Sequence, residues 1–142
     1  MSIDHKTLSE GFSVSGQVSL ADLEEIKKAG FRSLIINRPD NEVPAQLHAE
    51  SMKLAAQGID LQAVYIPMAG QISMEMIEDT CSAIGDLPGP ILAYCGSGTR
   101  SAALWCLAQV REQGVDAVLQ TAADAGYELG HLRPALEQVR GE

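Results

Sequence analysis

The segment Ile91–Ser101, with the sequence ILAYCGSGTRS, indicates how this chain of 142 residues folds. Residues 91–94 are all apolar, which predicts a short buried strand. Gly96 and Gly98 follow in a loop, and an apolar helix is predicted from Ser101 to about Gln113. A buried strand, a glycine loop and a buried helix in direct succession are typical of α/β proteins. In such proteins ligands bind where the parallel strands end.

Strands and helices alternate along the rest of the chain in the same way. The predicted strands are Phe12–Ser15, Phe31–Ile36, Leu61–Ile66 and Ile91–Tyr94. The predicted helices are Ala21–Ala29 capped by Ser19, Pro44–Gln57, a helix through Ile84 capped by Ser73, Ser101–Gln113, Val115–Ala125 and Glu128–Arg140. Strands separated by helices of about ten to fifteen residues imply crossover connections. We therefore predict an α/β fold with a parallel-type sheet of about four to five strands flanked by helices, in a single domain over residues 1–142.

The composition excludes several classes of protein. The net charge is −9 and the isoelectric point is near 4.7, which opposes binding to nucleic acid or to an anionic membrane surface. Three cysteines cannot all pair with one another, so a disulfide framework is not expected. The polar start of the chain does not resemble a secretory signal. We expect a cytoplasmic protein that binds neither nucleic acid nor membrane.

The loop Cys95–Arg100, called the anion loop below, carries the strongest chemical signal. Gly96 and Gly98 allow the backbone N–H groups to turn inward and form an anion cradle, to which Ser97 and Thr99 also belong. The following helix adds its positive N-terminus, and the guanidinium of Arg100 matches an oxyanion at two points. In this setting we expect the Cys95 thiol to be acidic and nucleophilic. Ser101 is predicted to donate a hydrogen bond to the Cys95 thiolate.

Arg38 and Asp40 are candidate accessory residues. They lie in the turn Asn37–Asp40 after the second predicted strand, where Arg38 could steer an anion towards the loop. A structural ion pair is the competing interpretation. The three histidines lack the spacing of a metal site, so neither a metal ion nor another cofactor is expected. Cys81 and Cys106 lie within predicted helices and are expected to be inert.

At these residues the sequence resembles a known family. The resemblance rests on Ser15-Gly-Gln17, Gly30-Phe31, Ile36-Asn-Arg-Pro-Asp40, Ile66-Pro67, Cys95-Gly-Ser-Gly-Thr-Arg-Ser101 and Ala125-Gly-Tyr127. Together these segments resemble the phosphatase-like domain of the bacterial beta-lactamase hydrolase-like family. The resemblance implies a fold like that of cysteine-dependent protein phosphatases. It also implies that the domain acts beside hydrolase or oxidoreductase partners.

The length of the anion loop favours sulfur transfer over phosphate hydrolysis. Cysteine phosphatases place five residues between cysteine and arginine, whereas only four separate Cys95 from Arg100. The pattern Cys-x-Ser-Gly-x-Arg-Ser is similar to that of single-domain rhodaneses. The segment Tyr65–Ser73 also lacks the carboxylate that a phosphatase needs as general acid. We therefore expect a sulfurtransferase in which Cys95 accepts a sulfane sulfur from thiosulfate or a persulfide and passes it to a thiol.

Two alternatives remain open at this point. The first is a phosphatase of the protein tyrosine phosphatase type that hydrolyses a phosphate ester through a phosphocysteine at Cys95, with Asp40 as a substitute acid. The second is a non-catalytic module that senses an anion or a partner.

Overall fold

The computed structural model describes residues 4–141, so the ends of the predicted domain, residues 1–3 and 142, lie outside the described part. The strands are β1 (His5–Ser9), β2 (Phe12–Ser15), β3 (Ser33–Ile36), β4 (Gln62–Tyr65) and β5 (Ile91–Tyr94). The helices are α1 (Asp22–Lys28), α2 (Ala49–Gln57), α3 (Met74–Asp86), α4 (Thr99–Gln113), α5 (Val115–Asp124) and α6 (Arg133–Arg140). No helix within this range combines the length and the apolarity needed to cross a bilayer.

The five strands form one sheet in the order β1-β2-β5-β3-β4. Strands β2, β5, β3 and β4 are parallel, and β1 pairs antiparallel with β2 at the edge. This confirms the predicted α/β fold and its mostly parallel sheet. Because the four parallel strands run in one direction, their carboxyl ends and the loops that follow lie along a single edge.

Helices cover both faces of the central strands β2, β3 and β5, whose neighbouring residues point to opposite sides and are all buried. Leu34 and Leu92 pack with α1 and α2 on one face, while Ile35 and Ala93 pack with α3 to α6 on the other. Helix α4 is central to the second face, and nine of its residues are buried. Its apolar character on nearly every side, read from the sequence, is therefore explained by contacts with α3, α5, α6 and β2.

Strand β1 was not predicted. In His5–Ser9 only Leu8 is buried, so the segment carries no alternating apolar pattern of the kind that indicates a strand. It pairs as an edge strand through the hairpin that leads into β2, with a register shift between Thr7 and Ser9. Backbone pairing, rather than side-chain burial, holds it in the sheet.

Two helices begin later than the sequence predicted. Helix α2 was expected from Pro44 but begins at Ala49, because His48 is extended and the Ala49 N–H donates to Asp40 Oδ1 at 2.7 Å. Helix α6 was expected from Glu128, but a 3-10 turn occupies residues 130–132 and Pro134 lies in the first turn of α6, where its missing N–H costs nothing.

The two predicted helix caps differ in outcome. Ser73 caps α3 as expected, because its Oγ accepts from the Met76 N–H at 3.2 Å. The predicted Ser19 cap on α1 is wrong. The Ser19 hydroxyl donates to Asp22 Oδ2 at 3.0 Å, so the acidic side chain of the first turn is the acceptor.

Candidate active site

Backbone hydrogen bonds hold the loops together at the carboxyl edge of the sheet. The Cys95 N–H donates to Ser15 O at 3.3 Å, which joins the loops after β5 and β2. The Asn37 N–H donates to Tyr94 O at 2.9 Å, and the Met68 N–H donates to Asn37 O at 3.0 Å. The segments after β2, β3, β4 and β5 therefore surround one point, which is the start of the anion loop.

The anion loop folds around the sulfur of Cys95. Cys95 is fully buried, and its Sγ accepts a hydrogen bond from the Gly98 N–H at 3.0 Å. Gly98 has φ +93°, the left-handed conformation that turns this N–H inward. Ser97 and Thr99 are exposed on the rim, with their hydroxyl oxygens 2.9 Å apart. Helix α4 begins at Thr99, so its N-terminus faces the same sulfur.

The environment of Cys95 favours the thiolate. Burial is the largest single influence on the Cys95 pKa, and it opposes ionisation. The backbone N–H groups of Ser101, Ser97 and Gly98, together with the Ser101 hydroxyl, outweigh it and lower the pKa below its ordinary value. The sulfur is therefore poised as a nucleophile by the hydrogen-bond donors around it.

Ser101 is buried beside Cys95 and is oriented by Asn37. The Ser101 hydroxyl donates to Asn37 Oδ1 at 2.8 Å, and Asn37 Nδ2 donates to Ile66 O at 2.8 Å. The same hydroxyl contributes to the lowered pKa of Cys95. A hydroxyl has one proton, so it can stabilise either the thiolate or Asn37 Oδ1 at a given moment. Asn37 thus holds Ser101 next to a sulfur whose charge changes during a reaction.

Glu42 orients Arg100. Arg100 Nη1 donates to Glu42 Oε2 at 3.1 Å and to Met68 O at 2.9 Å, and Nη2 donates to Glu42 Oε1 at 2.8 Å. Each Nη carries two protons and Nε carries one. The contacts with Glu42 and Met68 O leave Nε and one proton of Nη2, which together form a two-point donor for an oxyanion. A β-carbon on Gly96 would lie 3.5 Å from Nη2, so this edge lies beside the anion loop. Hydrogen bonding to Glu42 first, and also a hydrogen bond to Cys95 and its charge, raise the pKa of Arg100, so Arg100 already interacts with the nucleophilic sulfur.

Arg38 lies next to Arg100 and shares the same carboxylate. Arg38 Nε donates to Glu42 Oε1 at 2.9 Å, and Nη1 donates to Gln17 Oε1 at 3.3 Å. A β-carbon on Gly96 would lie 3.2 Å from Arg38 Nη1. Hydrogen bonds from Arg100 first, and the charges of both arginines, lower the pKa of Glu42. Arg38 thus forms an ion pair, with Glu42, and it also lies at the rim of the anion loop, while its role in steering an anion stays a prediction.

The carboxylate of Asp40 contacts the start of helix α2 rather than the anion loop. Its Oδ1 accepts from the first N–H of α2, at Ala49, and its own N–H donates to the hydroxyl of Tyr65 at 3.0 Å. Asp40 therefore closes the segment between β3 and α2. The sequence joins Arg38 and Asp40 in one turn, but the structure directs the arginine to the anion loop and the carboxylate to the helix.

The other two cysteines differ from Cys95. Burial raises the pKa of Cys106 to about 12, and burial also raises that of the half-buried Cys81. Both sulfurs lie near helix carbonyls, those of Val118 and Ala108. Among residues 4–141, no cluster of three metal-ligating side chains occurs. Cys95 is thus the acidified thiol of the three.

Tyr127 supports the anion loop from outside. Its hydroxyl donates to Ser97 O at 3.4 Å, and a β-carbon at Gly98 would collide with that hydroxyl. Burial, together with the charge of Cys95, raises the pKa of Tyr127, so the phenol remains protonated as a donor. Sequence reasoning gave Tyr127, Asn37 and Glu42 no role at the site. Tyr127 and Asn37 had appeared in the family resemblance, which was the available signal for them.

Comparisons with known proteins agree with this geometry. A sequence model of the "Beta-lactamase hydrolase-like protein, phosphatase-like domain" matches residues 4–112. A beta-lactamase hydrolase-like protein of Agrobacterium fabrum is 31% identical over 103 residues, covering 72% of this chain and 24% of that protein. The crystal structure of a "putative phosphatase" from Neisseria meningitidis has a TM-score of 0.81 at 30% identity, covering 95% of this chain and 97% of the other. Kinase associated phosphatase, whose catalytic site contains a cysteine, has a TM-score of 0.73 at 14% identity, covering 99% and 96%.

The fold and the acidified Cys95 define a class: an α/β protein of the cysteine-phosphatase type, with the features of a thiol-nucleophile enzyme. Within that class, the chain belongs to the beta-lactamase hydrolase-like family and corresponds to its phosphatase-like domain. It spans about a quarter to a third of the length of the curated relatives that it matches.

The prediction of a sulfurtransferase is wrong. The matching family is described as phosphatase-like, and the solved structure at 30% identity is described as a "putative phosphatase". The prediction took the four-residue spacing as a measure of the size of the anion site. In the structure Arg100 lies in the first turn of α4, and Glu42 and Met68 O hold its guanidinium back beside Gly96. A short loop therefore still builds a site with cysteine and arginine together.

Proposed function

We propose that this protein is a cysteine-dependent phosphatase that hydrolyses phosphate monoesters through Cys95. The observation that carries the proposal is the Cys95 sulfur, with its lowered pKa, inside a loop whose N–H groups turn inward beside Arg100. This arrangement joins a nucleophile to donors for the charge on a phosphoryl group.

Hydrolysis proceeds in two steps, formation of a phosphocysteine and its hydrolysis by water. In the first, the Cys95 thiolate forms an S–P bond while the ester P–O bond breaks, and the leaving oxygen departs with the electron pair. The loop amides and the free edge of Arg100 bind the phosphoryl oxygens. In the second, a water oxygen forms a P–O bond and loses a proton to solvent while the S–P bond breaks, which releases phosphate and restores the thiolate. The Ser101 hydroxyl stabilises that thiolate each time it re-forms.

The availability of a proton for the leaving oxygen determines which phosphate esters the site can hydrolyse. Asp40 accepts the Ala49 N–H, and Glu42 is held ionised between two arginines. Neither carboxylate of this segment is arranged to donate a proton. Esters of acidic alcohols or phenols, which depart as stable anions, therefore suit the site best.

The test is phosphate release from para-nitrophenyl phosphate by the purified protein. We expect release that Cys95→Ser abolishes, with a transient gain of one phosphoryl group in the intact mass of the wild-type protein. Cys81→Ser is the matched control, since it removes a thiol whose pKa is raised, and it should keep full activity. Release that persists in Cys95→Ser, or no release from the wild-type protein, would refute the proposal.

A further inference from the structure

A polar cavity opens directly beside the anion loop. It has a volume of about 370 Å³ and is lined by Asp4 and Lys6 from the β1 side, Gln17 after β2, Ser97 of the loop, and Tyr127. We call it the flanking cavity. Its volume is at the lower end of the range for small-molecule sites. It is large enough for part of a small molecule whose phosphoryl group lies on Cys95.

The wall of the flanking cavity is continuous with the phosphoryl site. Gln17 Oε1 accepts from Arg38 Nη1 at 3.3 Å, and the Gln17 N–H donates to Gly96 O at 3.4 Å. Ser97 belongs to both the cavity and the loop. A group attached to a phosphate on Cys95 therefore reaches the cavity by passing Gln17 and Ser97.

Lys6 supplies the cavity with a positive charge. Its side chain is exposed, and among the described residues 4–141 it has no ion pair, in contrast to Arg38 and Arg100, which both contact Glu42. Asp4 also lines the cavity and reduces the field of Lys6 without forming a salt bridge to it. The ammonium group is thus available to a ligand within a chain of net charge −9.

We propose that the flanking cavity binds the non-reacting part of the substrate, and that Lys6 pairs with a second anionic group there. The substrates are then small phosphate monoesters that carry another phosphate or carboxylate. This inference rests on the proposed function, because the ligand is a substrate only if the protein is a phosphatase. Binding of the ligand can nevertheless be measured without turnover.

The experiment measures binding to the Cys95→Ser protein by calorimetry. The probes are butane-1,4-diol bisphosphate and butyl phosphate, which differ in the second phosphate. We expect the bisphosphate to bind about 1.5- to 5-fold more tightly, the range of an exposed charge pair. Lys6→Ala should remove that preference, and Lys6→Arg should retain it. Asp4→Asn should increase it, because it removes the opposing charge.

Lys53→Ala is the matched control, since Lys53 lies on α2 and lines a different cavity. It makes the same change in net charge and should leave the preference intact. Equal binding of the two probes, or equal losses in Lys6→Ala and Lys53→Ala, would overturn the inference. The bisphosphate preference could depend on Lys6 even if the protein shows no Cys95-dependent release of phosphate. That combination would support anion binding by Lys6 in the flanking cavity and would refute only the phosphatase proposal.

Discussion

Replacing Gly98 with alanine tests how the anion loop is held, because two separate costs meet at this residue. Gly98 has φ +93°, a conformation that costs a residue with a β-carbon about 1–2 kcal/mol. The new β-carbon would also collide with the Tyr127 hydroxyl and lie 3.1 Å from its Cζ, and overpacking of this kind costs about 1–3 kcal/mol. Gly98→Ala should therefore lower the free energy of unfolding by about 2–5 kcal/mol.

Tyr127→Ala separates the two costs. It removes the obstacle and leaves the backbone conformation, so in that background Gly98→Ala should cost only about 1–2 kcal/mol. The difference between the two backgrounds, about 1–3 kcal/mol, is the coupling between Gly98 and Tyr127. Gly30→Ala is an independent control, because Gly30 has φ +104° and nothing lies within 4 Å of its β-carbon position.

Urea unfolding followed by circular dichroism gives each free energy by linear extrapolation. The structure requires Gly98→Ala to cost more than Gly30→Ala, and to cost less once Tyr127 is alanine. The assignment of Tyr127 as the outer support of the anion loop fails if the cost of Gly98→Ala is the same in both Tyr127 backgrounds. Gly98→Ala should also slow alkylation of Cys95, because a backbone shift that relieves the strain at residue 98 moves the N–H that donates to the sulfur.

Three further outcomes are expected. The rate of Cys95 alkylation by iodoacetamide should rise with pH around an inflection that lies below the pKa of an ordinary thiol. Ser101→Ala removes a donor to the thiolate and should move this inflection to higher pH. An unchanged inflection would contradict the role of Ser101. Glu42→Gln should lower kcat/KM on the order of 10- to 100-fold by misplacing Arg100, whereas Glu78→Gln, which breaks the distant ion pair with Arg111, should not. Across aryl phosphates, kcat/KM should rise steeply with the acidity of the phenol, and a flat dependence would reveal a proton donor.

The sequence allowed prediction of the parts of the site that are local in the chain. Cys95, the two glycines of the loop and Arg100 lie within six consecutive residues, so the strand, the loop and the helix N-terminus could be predicted together. The acidity of Cys95 followed from that local geometry. The α/β fold followed from the alternation of apolar strands and helices, which depends on residues near one another.

The contacts that orient these groups could not be predicted, because they join distant parts of the chain. Glu42 is 58 residues from Arg100, and Asn37 is 64 residues from Ser101. Nothing in the sequence Asn37-Arg38-Pro39-Asp40 indicates which side chain turns towards the loop. The error about function has the same origin. Loop length was used to infer chemistry, while the position of Arg100 depends on Glu42 and on Met68 O.

The carboxylate shared by Arg38 and Arg100 also has an electrostatic consequence for substrate encounter. Glu42 neutralises part of the charge of the two guanidinium groups, and ionisation of Cys95 neutralises more, so little positive charge is left at the anion loop. An approaching phosphate ester is therefore repelled at long range by a chain of net charge −9, and the donors of the anion loop and Lys6 attract it only at short range. Added salt screens the repulsion first, because it acts over the longer distance. Capture of an anionic substrate should therefore become faster as ionic strength rises, the reverse of enzymes that draw anions in with a positive surface.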